Sequence, residues 1–360
     1  MSPKDMSMEE RWWKSLVNSV RFLDDIVQEL ERGGSVQVVF DTEAPWRDVM
    51  LEVIEQKLSQ KNDSKTFDVL DVTGVRSPGE YLMEKYCDDD CDDDDGYWPI
   101  THGSREYYMA KKRDISLNRT FVCITGVSKD NVAMWHTSID RYLENCDENV
   151  EHGVILLMID GATELKSKHM SLFKYSEYVS DYDCMMLCLT IISSAACTKT
   201  QKMYICEVAG NIAGNRADHA GLLAAKELEL IKDPYSSAAE VFAENGIACD
   251  NLPSLVKKSV WEAQIKLVFP KLENFRADMI QKHGAKLQRY LPIRNSYNEI
   301  IERVSDLEIG QLFHICKEYR TEGIVNDKEF ERLKRMRDAR NTLAHSEPLS
   351  YSQLDALDIL

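Results

Sequence analysis

Val154-Ile-Leu-Leu-Met-Ile-Asp-Gly161 is the stretch whose reading decides the N-terminal fold. Its apolar residues follow one another without a polar break, so an extended chain here leaves neither face to water. Such a strand belongs in the middle of a sheet covered on both sides. Working outward, short apolar or β-branched runs recur at 36–40, 69–72, 121–126, 185–192 and 203–208. Helix-length mixtures of polar and apolar residues, such as 47–60 and 131–145, separate several of them. Parallel strands need such crossovers, because the chain must return along the sheet before it can pair again. The expected fold class is therefore α/β, with a parallel sheet in residues 1–210.

Composition narrows the function classes. A chain of 360 residues, 44% hydrophobic and 29% charged, can bury the cores of two domains. No apolar run approaches the ~20 residues of a membrane helix, and the charged start of the chain lacks the pattern of a secretory signal. No membrane span and a cytoplasmic location are expected. The ten cysteines fall mostly inside apolar runs, as at Cys123, Cys184, Cys188 and Cys206, where a reduced thiol packs as a small hydrophobe. Cys87 and Cys91 share a short spacing but have no second pair downstream, and the aspartates around them (88–90 and 92–95) read as a self-repelling surface insertion. His102, His136, His152, His169, His219, His283 and His314 show no common ligand spacing. Neither a metal nor a cofactor is expected. The formal net charge of −17 argues against a general nucleic-acid binder, yet Arg332-Leu-Lys-Arg-Met-Arg-Asp-Ala-Arg340 is a locally basic segment.

A parallel sheet invites the question of nucleotide binding, where strand one runs into a glycine-rich turn that wraps phosphate. Here that turn reads Asp41-Thr-Glu-Ala-Pro-Trp-Arg-Asp48, with no glycine and no Lys-Ser or Lys-Thr pair. Carboxylates face the place of the phosphates and a Trp fills the close approach that glycine permits. The layout, with Met158-Ile-Asp-Gly161 similar to a Walker B strand, resembles an AAA or STAND-type P-loop domain that has lost its nucleotide site. ATPase activity is not expected.

Residues 211–252 are Ala-rich with leucines at helical spacing and read as a helical linker or lid. From Pro253 onward the pattern is wholly helical, with candidate helices at 255–267, 272–290, 297–304, 309–319 and 327–344, so 253–360 reads as an all-α bundle. Trp261, Ile265, Leu267 and Phe269 read as core residues of its first helices. The last long helix ends Arg335-Met-Arg-Asp-Ala-Arg-Asn-Thr-Leu-Ala-His345 and breaks at Ser346-Glu-Pro348. Asn341 and His345 form an i, i+4 pair on one face, and Arg340 lies beside them.

This Arg-Asn-x-x-x-His constellation at a helix end resembles the HEPN superfamily, and Met336–Ala339 before it and Leu343-Ala344 within it are similar to that family too. The resemblance covers roughly the last hundred residues. It implies either a metal-independent endoribonuclease or an RNA-binding module, of the kind found in bacterial toxin and phage-defence systems. Arg340, Asn341 and His345 would be the catalytic residues. An imidazole exchanges protons near neutral pH, a guanidinium stabilises phosphate charge, and an amide orients either. The family also implies a homodimer through the bundle, with a composite cleft, and the α/β domain would then act as a sensor for a protein partner. The same residues fit a purely structural role, in which Arg340 pairs with a carboxylate, Asn341 caps or bonds between helices and His345 interacts with the helix C-terminus, and also a non-catalytic dimeric scaffold in which all three are interface residues.

Overall fold

A computed structural model describes residues 6–61, 64–87, 97, 99–147, 150–163, 165–294 and 298–360. The chain divides into two compact units, 1–183 and 184–360. Of the acidic segment read as an insertion, Cys87 to Asp95, all but Cys87 lies outside the described residues.

The first unit runs α1 (Met8–Ser15), α2 (Val17–Glu31), β1 (Ser35–Phe40), α3 (Arg47–Lys61), β2 (Thr66–Asp71), α4 (Pro78–Tyr86), α5 (Pro99–His102), α6 (Arg105–Lys111), β3 (Thr120–Val127), α7 (Val132–Asn145), β4 (Val154–Asp160), β5 (Met170–Lys174), α8 (Tyr175–Tyr178) and the start of α9 (Asp181–Ile191). Its sheet is five-stranded and parallel, in the order β2-β3-β4-β1-β5. The run 154–159 is central as read: all six residues are buried, with β1 on one side through Val36↔Leu156 and β3 on the other through Phe121↔Val154. The α3 and α7 crossovers follow the periodicity read for them.

Two of the expected strands are helices. Residues 185–192 lie in α9, and 203–208 lie in α10 (Lys199–Ala213). A short continuous apolar run does not distinguish a strand from a helix; α10 is buried over most of its length, and α9 carries apolar residues on its exposed side too, at Tyr182 and Met186. The cues to α10 lay in its ends: Thr198 and Gln201 form a capping box, and Gly214 closes it in the left-handed conformation at φ 59°. The sheet's fifth strand is instead β5, a short edge strand whose mixed composition hid it. No strand of this sheet follows Lys174, and the first compact unit ends at 183 rather than at 210.

The second unit continues with α11 (Ala217–Ala224), α12 (Leu228–Lys232), α13 (Pro234–Glu244), α14 (Leu252–Leu267), α15 (Phe269–Leu287), the short antiparallel pair β6 (Ile293–Arg294) and β7 (Ile300–Ile301), α16 (Ile309–Glu318), α17 (Asp327–Ala344) and α18 (Tyr351–Ala356). The segment read as a linker is part of this body: Leu223, Leu230, Ile231 and Val241 are buried in one core with Val260, Leu272, Leu333 and Leu343. Where a helix was read at 297–304, β7 and a 3-10 turn at Val304–Asp306 stand instead, with 295–297 outside the described residues. Cys123, Cys184, Cys188 and Cys206 are free and buried. Among the described residues no helix is long and apolar enough to cross a membrane, and no group of three His, Cys, Asp or Glu residues could hold a metal ion.

The carboxyl edge of the sheet contains one position that only glycine fills. Gly126, in β3, has φ 76°, and a Cβ there would meet the Asp71 carboxylate and lie 2.6 Å from Thr73 Oγ1. Those two residues are already tied together, Thr73 donating from its amide at 2.9 Å and its hydroxyl at 2.7 Å to Asp71 Oδ1. Gly126→Ala combines backbone strain with a clash, and should cost about 2 kcal/mol or more. Urea unfolding followed by tryptophan fluorescence checks this, and an unchanged midpoint contradicts it.

Candidate functional site

The motif helix α17 is built from both ends. At its start Asn326 accepts from the Glu329 amide at 2.9 Å, and the Glu329 carboxylate accepts from the Asn326 amide at 3.2 Å. Phe330, Leu333, Met336, Ala339 and Leu343 form its buried stripe. That spacing leaves Asn341 and His345 on the outer side, where both are exposed. His345 ends the helix at φ −95°, ψ 18°, its amide reaching Asn341 O at 3.2 Å and Thr342 O at 3.1 Å. Ser346 then takes φ 59°, and the Glu347 amide folds back to Thr342 O at 3.2 Å.

A second helix holds this end in place. From α14, the Trp261 indole N–H donates to Leu343 O at 2.8 Å, satisfying one of the carbonyls a helix C-terminus leaves open. One turn on, the fully buried Gln264 pairs with the backbone of Leu349: its Nε2 donates to Leu349 O at 2.8 Å and its Oε1 accepts from Leu349 N at 2.7 Å. Gln264 Nε2 also donates to the Tyr204 hydroxyl at 2.7 Å. At the outer end Lys257 pairs with Glu347 at 2.7 Å, both side chains about half exposed. The reading of Trp261 as a core residue holds in part: it packs against the core while its indole N–H serves the motif helix. The role of Gln264 was not read, because a glutamine on a helix ordinarily marks the solvent side.

The structure places the three motif residues on one helix end without joining them. Arg340 is one-third exposed, and its Nη2 lies 3.6 Å from Glu308 Oε2 at the start of α16. Among the described residues no side-chain hydrogen bond or ion pair links Arg340, Asn341 and His345 to one another; only the helical backbone bond from the His345 amide to Asn341 O does. In the basic segment around them, Arg332, Lys334 and Arg335 are exposed, Arg332 lying 5.3 Å from the Phe275 ring centroid, and the half-buried Arg337 lies 3.7 Å from that of Phe313. Arg337 is further paired with Asp338. Comparison of the chain with known protein families, with curated proteins and with solved structures gives no match. A guanidinium, an amide and an imidazole stand on a fixed helix end, two of them open to solvent, with no metal required for what they can do.

In the first unit, the turn after β1 is closed by contacts with α1, β4 and α8. Arg47 pairs with Asp160 at the end of β4 and lies 4.0 Å from the Phe40 ring centroid. Asp41 accepts from the Ser176 amide at 3.1 Å and from its hydroxyl. The Trp13 indole donates at 3.0 Å to the carbonyls of both Pro45 and Trp46, and Trp46 takes φ 49°. The carboxyl ends of β1 and β4, where α/β sheets receive ligands, thus hold an internal ion pair. The Walker B-like Asp160 is engaged by Arg47.

Two outcomes follow. Millimolar ATP with magnesium should leave the melting temperature unchanged; a nucleotide at a hundred times its Kd adds about 2.7 kcal/mol, so a clear rise contradicts this account of the turn. Gln264→Leu leaves the Leu349 backbone groups unpaired in a dry site and should cost about 2–4 kcal/mol, while Lys257→Ala, which removes an exposed pair, should cost under ~1 kcal/mol. Equal effects in chemical denaturation would show that the buried amide is not what holds the segment.

Proposed function

We propose that the second unit is a metal-independent endoribonuclease acting through Arg340, Asn341 and His345. The observation that carries the reading is the contrast at the end of α17: the backbone from Leu343 to Leu349 is fixed by Trp261 and Gln264, while the side chains of Asn341 and His345 are exposed and take no part in that packing. Rigid backbone under free polar groups suits a site, because a catalytic group must be held in place without being consumed by the fold. RNA supplies its own nucleophile. The 2′-hydroxyl attacks the adjacent phosphorus as a base takes its proton, the phosphorus–5′-oxygen bond breaks, and a proton is returned to the leaving oxygen, giving a 2′,3′-cyclic phosphate and a 5′-hydroxyl. His345 is suited to one of the two proton transfers. Arg340, freed from Glu308, would neutralise the charge on the non-bridging oxygens, and Asn341 would orient phosphate or imidazole. A second copy, contributing the same residues across a dimer, would supply the other proton transfer. The α/β unit would serve as a nucleotide-independent sensor for a protein partner, which fits the side chains filling the turn after β1. A role in a toxin or phage-defence system rests on the HEPN resemblance alone.

A second reading is favoured by a specific pair of contacts. Arg340 faces Glu308, and His345 occupies the helix-end position, so each has a structural duty available. In that reading the bundle is a non-catalytic dimeric scaffold.

Incubating the purified protein with total RNA in EDTA, beside His345→Ala and Arg340→Ala, separates the two. The ribonuclease reading predicts cleavage to cyclic-phosphate ends by the wild type and losses of about a hundredfold or more in each variant. Identical RNA patterns from all three proteins, with the variants loosening the dimer in sedimentation, would establish the scaffold.

A further inference from the structure

The segment that leaves the motif forms one wall of a groove of about 480 Å³, within the ~300–1,000 Å³ of small-molecule sites. Pro348, Leu349 and Tyr351 build that wall, and the turn between α12 and α13, Tyr235, and Val256 and Val260 of α14 also line the space. The lining is apolar and aromatic. Tyr235 is half exposed, and Tyr351 is held in position by Gln201, whose Nε2 donates to its hydroxyl at 3.3 Å.

The charges on the lining favour an anion. Lys232 lies 5.9 Å from the Tyr351 ring centroid, and Lys257 is the exposed residue paired with Glu347. Two lysines on an aromatic groove are notable in a chain of net charge −17. One acid lines the groove, Asp233, and its carboxylate is engaged as the cap of α13, accepting from the Ser236 amide at 3.1 Å and hydroxyl at 2.7 Å. Gln353 accepts from the Ser350 amide through Oε1 at 2.8 Å, and its Nε2 has no protein partner among the described residues, leaving a donor for a carbonyl oxygen. Aromatic rings, flanking cations and a spare amide donor are the groups that take a base from an unpaired strand. The groove's place in the chain strengthens this, since Pro348 is three residues from His345 and Leu349 is fixed by Gln264.

We propose that this groove receives one unstacked base of a single-stranded RNA, stacked on Tyr351 and bordered by Tyr235, with an adjoining phosphate taken by Lys257 in exchange for Glu347. The strand then continues toward Arg340 and His345, so the groove sets which nucleotide lies beside the cut. This assignment rests on the ribonuclease reading for the meaning of the neighbouring site, but base binding is measured without cleavage.

The test uses the full-length His345→Ala protein, which keeps RNA intact, and a fluorescently labelled ten-nucleotide single-stranded RNA read by anisotropy. Tyr351→Ala and Tyr235→Ala should each weaken binding by about tenfold, the scale of one lost base stack. Val256→Trp, which fills the groove, should do the same. Oligonucleotides with a single abasic site, scanned along the strand, should show one position whose loss weakens the parent but not Tyr351→Ala. RNA that fails to bind the parent, or that binds Tyr351→Ala and Tyr235→Ala as tightly as the parent, overturns the proposal and leaves the groove as a protein-docking face. Failure of the ribonuclease reading appears elsewhere, as a wild-type protein that binds RNA in the groove and does not cut it.

Discussion

A buried amide pairing carries the geometry of the second unit. Gln264, with no solvent contact, completes both hydrogen bonds of the Leu349 peptide backbone and a third to Tyr204. A chain that has just left a helix presents unpaired amides and carbonyls, and burying them requires partners. Gln264 supplies them as a neighbouring strand would, and Trp261 does so one turn earlier for Leu343. The consequence is mechanical. The turn at Ser346–Pro348 is anchored on both sides, so the face of α17 bearing Asn341 and His345 is set by α14.

Electrostatics in this acidic chain follow the same logic of local engagement. Arginines near the motif are laid on rings, as Arg332 on Phe275 and Arg337 on Phe313, which keeps cationic groups beside the helix at little desolvation cost. In the first unit the Arg47–Asp160 pair occupies the ends of the central strands, where a nucleotide-binding sheet would present backbone amides to phosphate. The two units thus use their arginines differently: one closes a sheet edge, and the other leaves Arg340 under a single 3.6 Å contact.

The parts of this arrangement that sequence made legible are those in which one periodicity dominates. β1, β3 and β4 stood out because their buried residues are mostly apolar, with Gln37 as the interruption in β1, and α17 was read at its bounds, its end marked by the break at Ser346-Glu-Pro348. The same rule failed at 185–192 and 203–208: α10 is buried on most sides, and the exposed side of α9 is apolar at Met186, so neither stretch has the polar stripe that identifies a helix. β5 escaped notice for the opposite reason, being an edge strand with Ser171 and Lys174 among its five residues. At the site, Arg340, Asn341 and His345 were visible as a motif, whereas Gln264 was not: a polar residue within an amphipathic pattern reads as surface, and only the tertiary fold reveals the backbone it serves. The groove was invisible too, since its walls come from three separated segments.

Amide hydrogen exchange at Leu349 tests the anchoring most directly, because that amide lies beyond the motif helix and is protected only if Gln264 Oε1 accepts from it. The account predicts exchange as slow as that of amides in the interior of α14. Exchange at the rate of an open surface turn would contradict it, and would show that the end of α17 is not held by the buried amide.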